Sequence, residues 1–175
     1  MSPSEQPGGF FRPRRLGHAN LFVSDYERAS QFYQTVVGFE EVYRQPDNRA
    51  SFLSNGNTYH DLGLTDVHSK YAATDQQPGM WHLAFELENW QAIGNAADII
   101  TRYDISLDLG PTRHGITRGQ TIYFFDPSGN RCEVFAGGYT YYPDLPTRTW
   151  DETQVGKGIF YYERQMNEAF LSVVS

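Results

Sequence analysis

A chain of 175 residues with 39% hydrophobic and 20% charged side chains has the size and make-up of one globular domain with its own core. A formal charge of −7, with positive residues scattered apart from Arg12, Arg14 and Arg15, excludes a basic surface for nucleic acid, and the single cysteine excludes an intramolecular disulfide or a cysteine-built zinc site. No segment resembles a signal peptide or a membrane span, so a cytoplasmic protein without a membrane partner is expected, and 12 Tyr, 12 Phe and 3 Trp predict an aromatic-lined interior.

Residues 1–15 are rich in Pro, Gly and charge and read as an N-terminal arm. "LGHANLFV" (16–23) then reads as a strand, and "SDYERASQFYQTVV" (24–37) as a helix with Ser24 or Asp25 as N-cap and Gly38 as stop. Three strands follow, "FEEVYR", "ASFLSN" and "YHDLGLT", punctuated by Pro46–Asn48 and by Asn55-Gly56. This first module (16–66) leads through a polar linker (67–78) to a second (79–138) of the same order. "GMWHLAFEL" is its strand, "NWQAIGNAADIITRYD" its helix, and "ISLDL", "GQTIYFFD" and "NRCEVFA" its remaining strands. In the tail (139–175), Ile159, Tyr162, Met166 and Phe170 at helical spacing predict a docked helix over Lys157–Val173.

The order βαβββ therefore occurs twice, which predicts an α+β fold of two modules in one domain. "GHANLFVSDYERA" lies over "WHLAFELENWQAI" with His18 on His82. "NTYHDLGL" lies over "NRCEVFAG" with His60 on Glu133. A pseudo-two-fold would set the first strands facing each other across a shared cavity, where His18, His82, His60 and Glu133 converge. Alternation gives His18 the face of Asn20, and His82 that of Ala84, small or polar neighbours that leave room for a ligand. A lone strand histidine is usually a hydrogen-bonded, half-buried residue; the repeat is what makes these four a candidate site. His68, in the linker, reads as a surface residue, and Cys132, opposite in direction to Glu133, as a small buried hydrophobe.

The run "GPTRHGITRGQTIYFFDPSGNRCEVFAGGY", with "LGHANLFV", "YHDLGL" and "WHLAFELENW" before it, resembles the catalytic domain of the type I extradiol catechol dioxygenases, of the catechol 2,3-dioxygenase kind in the vicinal oxygen chelate superfamily. The resemblance spans residues 16–175. It implies an incomplete barrel around a metal held by His18, His82 and Glu133, with Fe(II) as cofactor and Mn(II) accepted by the same donors. Two neutral nitrogens and one hard anionic oxygen on one face suit such a cation and leave positions for a chelating catechol and for the cosubstrate O2. The resemblance also makes His60 the acid/base residue, and makes His114 and Tyr123 the partners of the substrate oxygens. Phe52, Ile116 and Thr117 fall where it places pocket-lining residues. The implied reaction inserts both atoms of O2 into a catechol and opens the ring to a semialdehyde-type product.

Relatives of this kind carry a second, metal-free domain of the same fold. Its lack here predicts a homo-oligomer, with the arm and tail as contacts and the tail also as a lid. Two other readings stay open. Lyases and isomerases of the glyoxalase kind use a metal-binding Glu at the repeat position read here as His60, and a non-enzymatic small-molecule binder on this fold needs no metal-ligating residues. The preferred ring substituent is not legible.

Overall fold

The computed structural model describes residues 11–171; residues 1–10 of the expected arm and 172–175 of the expected tail lie outside them. The first module comprises β1 (Arg15–Val23), α1 (Tyr26–Phe32), β2 (Glu40–Gln45), β3 (Ala50–Ser54) and β4 (Leu62–Asp66). The second comprises β5 (Gly79–Glu86), α2 (Trp90–Arg102), β6 (Leu107–Arg113), β7 (Gly119–Phe125) and β8 (Arg131–Gly137). After these come β9 (Arg148–Thr149), α3 (Glu152–Ile159) and α4 (Glu168–Leu171). The doubled βαβββ order is the one the sequence repeat predicts.

Local chemistry sets the helix ends. The Asp25 carboxylate caps α1 by accepting from the Arg28 backbone N–H, and the Asn89 amide caps α2 by accepting from Ala92 N–H. The first helix is less regular than its sequence predicts, because it widens into a π-helical turn at Tyr33–Val37 before Gly38 stops it at φ +90°.

The described strands form one sheet in the order β6-β7-β8-β5-β1-β4-β3-β2-β9. Each module contributes four neighbouring strands, and β1 joins β5 antiparallel at the centre. The first strands thus pair edge to edge and do not face each other across the cavity as expected. Their ladder sets His18 opposite Ala84 and Asn20 opposite His82, the two-fold arrangement in which His18 corresponds to His82 and Asn20 to Ala84. Because β1 pairs with β4, and β5 with β8, in parallel, Asn20 is beside Gly63 and Ala84 beside Glu133. The counterpart of Glu133 is therefore Gly63, which corrects the superposition of His60 on Glu133. The physical reason is that β4 starts only at Leu62, so His60 enters from the loop before it.

Strand alternation divides the two faces. On the outer face, Ile93, Ala96 and Ile100 of α2 pack on Ile122, Val134 and Ala136, while Ala29 and Tyr33 pack on Leu53, Leu62 and Leu64. Each fully buried Ile contributes about 1.5–3 kcal/mol, which fixes the helices there. The inner face keeps His18, Asn20, Phe22, Tyr123, Glu133 and Phe135, all of which line one cavity.

The expected single helix over Lys157–Val173 is broken. Phe160 leaves helical backbone at ψ 83°, Tyr161 N–H donates to Arg113 O, and a turn separates α3 from α4. Ile159, Met166 and Phe170 still face the cavity, whereas Tyr162 is exposed. Arg131, wholly buried, ties this tail down by donating to Phe170 O at 2.7 Å while pairing with Asp108 at 2.9 Å.

Gly138 has φ +112°, and a Cβ on it would overlap the Tyr59 ring, which faces the cavity. Gly138→Ala is expected to cost about 1–3 kcal/mol in urea denaturation, whereas Gly56→Ala, with open space around it, should stay within about 0.5 kcal/mol.

Candidate metal centre

Three buried side chains from three adjacent strands meet at one point. His18 Nε2 is 3.0 Å from Glu133 Oε2, His82 Nε2 is 3.2 Å from the same oxygen, and the two imidazole nitrogens are 3.3 Å apart. Ligands at right angles around a cation, with bonds of about 2.0–2.3 Å, are about 2.8–3.3 Å apart, so this triangle fits one face of a six-coordinate site. Both histidines have Nδ1 buried without a partner among the described residues, so Nε2 and the carboxylate carry the interactions of the cluster. Thr121 donates its hydroxyl to Glu133 Oε1 at 2.5 Å, which turns Oε2 toward the histidines.

Electrostatics favour the ligand form of each residue. Burial pushes His82 down to about 4, with His18 adding to the shift. Burial alone would raise the Glu133 carboxyl, yet the His18 and His82 imidazoles hold it well below the usual carboxylate range. At neutral pH the triad thus holds neutral imidazole at His82 and an anionic carboxylate, a donor set that attracts a divalent cation.

His60 lies on one flank, its ring centroid 4.2 Å from that of His18. Backbone bonds of the residue after it fix the loop: Asp61 N–H donates to Leu53 O, and Asp61 O accepts from Ala19 N–H. Its Nδ1 shares a 2.7 Å hydrogen bond with the hydroxyl of Tyr43, whose ring stacks on Phe52 with centroids 4.4 Å apart. Burial and then His18 lower the His60 pKa well below its ordinary value, so the ring is neutral at pH 7.

On the other flank, Tyr123 is directly opposite Glu133 in the β7–β8 ladder, and its hydroxyl is 2.9 Å from His114 Nε2. His114 Nδ1–H donates to Ile159 O of the tail at 2.5 Å, so in the neutral ring Nε2 accepts the Tyr123 proton. Burial and the Glu133 charge raise the Tyr123 pKa well above its ordinary value.

The structure brings every sequence-predicted site residue to this cavity: His18, His82, Glu133, His60, His114 and Tyr123 around the triad, with Phe52, Ile116 and Thr117 in the wall. The cavity measures about 830 Å³ with its mouth included. His68 is exposed as expected, while Cys132 is half-buried and not fully buried. Sequence reasoning missed Tyr43 and Thr121. Thr121 had a signal, since it shares the strand face of Tyr123; Tyr43 had none short of the sheet pairing.

The sequence profile of the glyoxalase/bleomycin resistance protein/dioxygenase superfamily matches residues 15–134. The chain belongs to this superfamily. It is 40% identical over 168 residues to a metapyrocatechase of Pseudomonas sp. (strain CF600), covering 94% of this chain and 52% of that protein. It is 32% identical to a manganese-dependent 2,3-dihydroxybiphenyl 1,2-dioxygenase of Geobacillus genomosp. 3, covering 92% of this chain and 52% of that protein. The crystal structure of the 2,3-dioxygenase LapB from Pseudomonas sp. KL28 superimposes with a TM-score of 0.72 at 36% identity, covering 81% of this chain and 48% of that one. The chain thus spans about half the length of these relatives. Among the described residues, no helix is long and apolar enough to cross a membrane.

The depressed pKa of His82 carries a stability consequence. Between its ordinary value of 6.5 and its folded value of about 4 the unfolded chain binds more protons, so metal-free protein should lose stability as pH falls through that window. Urea midpoints of the metal-free protein at pH 7, 5.5 and 4.5 should decline in that order; a flat series would contradict the burial of a neutral imidazole.

Proposed function

We propose that this site cleaves a catechol in the extradiol manner, inserting both atoms of O2 to give a ring-opened semialdehyde-type product. The observation that carries the reading is the His18–His82–Glu133 triangle, flanked by His60 on one side and by the Tyr123–His114 pair on the other. The relatives named above support it by what they are called. In this reading His18, His82 and Glu133 hold Fe(II), and Mn(II) suits the same donors. Bound there, the metal supplies a chelation point for the catechol oxygens and a route for charge between ring and O2.

The chain's own residues then do three things. Tyr123 and His114 manage the proton of a catechol oxygen: the phenol hydrogen-bonds that oxygen, and His114 Nε2 accepts from the phenol while its Nδ1–H stays on Ile159 O. His60, neutral and on the opposite flank, takes or gives a proton at its ring nitrogen beside the reacting centre, with Tyr43 holding Nδ1. The aromatic wall, including Phe52, Trp81 and Phe170, orients the ring and excludes water.

A lyase of the glyoxalase kind fits less well, because the position symmetrical to Glu133 is Gly63, which has no side chain to offer as a fourth ligand. The reading includes the division into an arm (1–15), modules at 16–66 and 79–138 around a linker at 67–78, and a tail (139–175) closing the cavity as a lid. It also includes a cytoplasmic homo-oligomer, supported by the apolar surface that Phe32, Val36 and Val37 expose.

After anaerobic Fe(II) reconstitution, catechol and then air should give a yellow product absorbing in the near ultraviolet. Glu133→Gln should lower iron content and turnover together, and full retention of both would sink the assignment. His60→Asn should keep its iron while kcat falls by about 10²–10⁴. A strict monomer on a sizing column would contradict the oligomer.

A further inference from the structure

Beyond the triad, the first-module end of the cavity is polar in a directed way. Tyr71 N–H donates to Ser69 Oγ at 3.3 Å, the Ser69 hydroxyl donates to Asn48 Oδ1 at 2.8 Å, and the Asn48 amide donates to Gln45 Oε1 at 2.9 Å. Each bond fixes the orientation of the next group. The relay ends on Gln45, which is 1% exposed, lines the cavity, and has its Nε2 without a partner among the described residues. Asn20, also in the wall and 4% exposed, has an unpartnered Oδ1. Asn20 is two residues beyond His18 on β1, and Gln45 two residues beyond Tyr43 on β2. Each pair shares a strand face, so these amides are about 6–7 Å further along than the groups at the centre.

Two amides buried in the wall of a cavity, each with a polar atom that no group among the described residues meets, are costly unless a ligand group meets them. We infer that the pocket is built for a catechol whose ring substituent carries an uncharged oxygen, such as that of a hydroxyl, ketone or amide, which accepts from the Gln45 Nε2–H. The inference rests on the catechol reading of the site. A hydrocarbon substituent would leave Gln45 and Asn20 unpaired. A carboxylate would find no cation, since no Lys or Arg is among the described residues of the wall. A site with a fixed donor discriminates against an analogue lacking the acceptor more strongly than an apolar wall rejects one added group.

The test compares two near-isosteric ligands, hydroxymethylcatechol and ethylcatechol, using the better-bound of the 3- and 4-isomers of each. Dissociation constants are measured anaerobically on the Fe(II)-loaded protein, and air is admitted afterwards. Wild type should bind the hydroxymethyl compound about tenfold more tightly, and Gln45→Met should collapse that ratio to near one. Preference for the ethyl compound in wild type overturns the inference, whether or not the variant folds, and so does an unchanged ratio in the variant. Tighter binding of carboxymethylcatechol than of the hydroxymethyl compound overturns the claim of an uncharged substituent. If the preference holds and air brings no ring cleavage, the dioxygenase reading fails while the subsite stands; cleavage without the preference gives the converse.

Discussion

The antiparallel contact between β1 and β5 is the constraint on which the rest depends. It sets His18 and His82 on opposing strands, one step to either side of a local two-fold, so that two imidazole nitrogens approach within 3.3 Å. The parallel pairing of β5 with β8 then delivers a carboxylate to the same point. No loop has to find its place for the triad to form. Hydrogen-bonded ladders whose register is fixed by helices on the outer face place all three donors.

Symmetry of backbone with asymmetry of side chains explains the division of labour. The ladders make Gly63 the counterpart of Glu133, and Phe52, across from Gly63, the counterpart of Tyr123. Module two has a carboxylate and a phenol in this row. Module one has glycine and phenylalanine there, so neither position offers a carboxylate or a phenol, and its amides Gln45 and Asn48 lie at and just beyond the end of β2. The two halves of the cavity wall therefore differ: the carboxylate and the phenol–imidazole pair come from module two, and His60, Phe52 and the amides from module one.

Much of this was legible in the residues. Strand alternation and helix caps gave the elements, the repeat paired His18 with His82, and the "TIYFFDPSGNRCEVF" run marked Tyr123 and Glu133 as neighbours. The misses share one cause. The equation of His60 with Glu133 was three residues off because the start of β4 depends on its pairing with β1, which no local pattern reports. Tyr43, Thr121 and the relay to Gln45 act through side-chain hydrogen bonds that depend on how strands and loops are brought together in the fold. The tail reads as one helix by spacing alone, yet backbone bonds to Arg113 and the Arg131 contact with Phe170 break it into two short pieces.

The hydrogen bond from His114 to Ile159 O also makes one ring answer to two distant parts of the chain. The triad is drawn from β1, β5 and β8 alone, whereas the ring of His114 is held toward Tyr123 by a later segment, which itself bonds back to Arg113 and Ile116. The donor triangle and the Tyr123–His114 pair therefore rest on different parts of the chain, and a change in the tail can disturb the second while leaving the first in place.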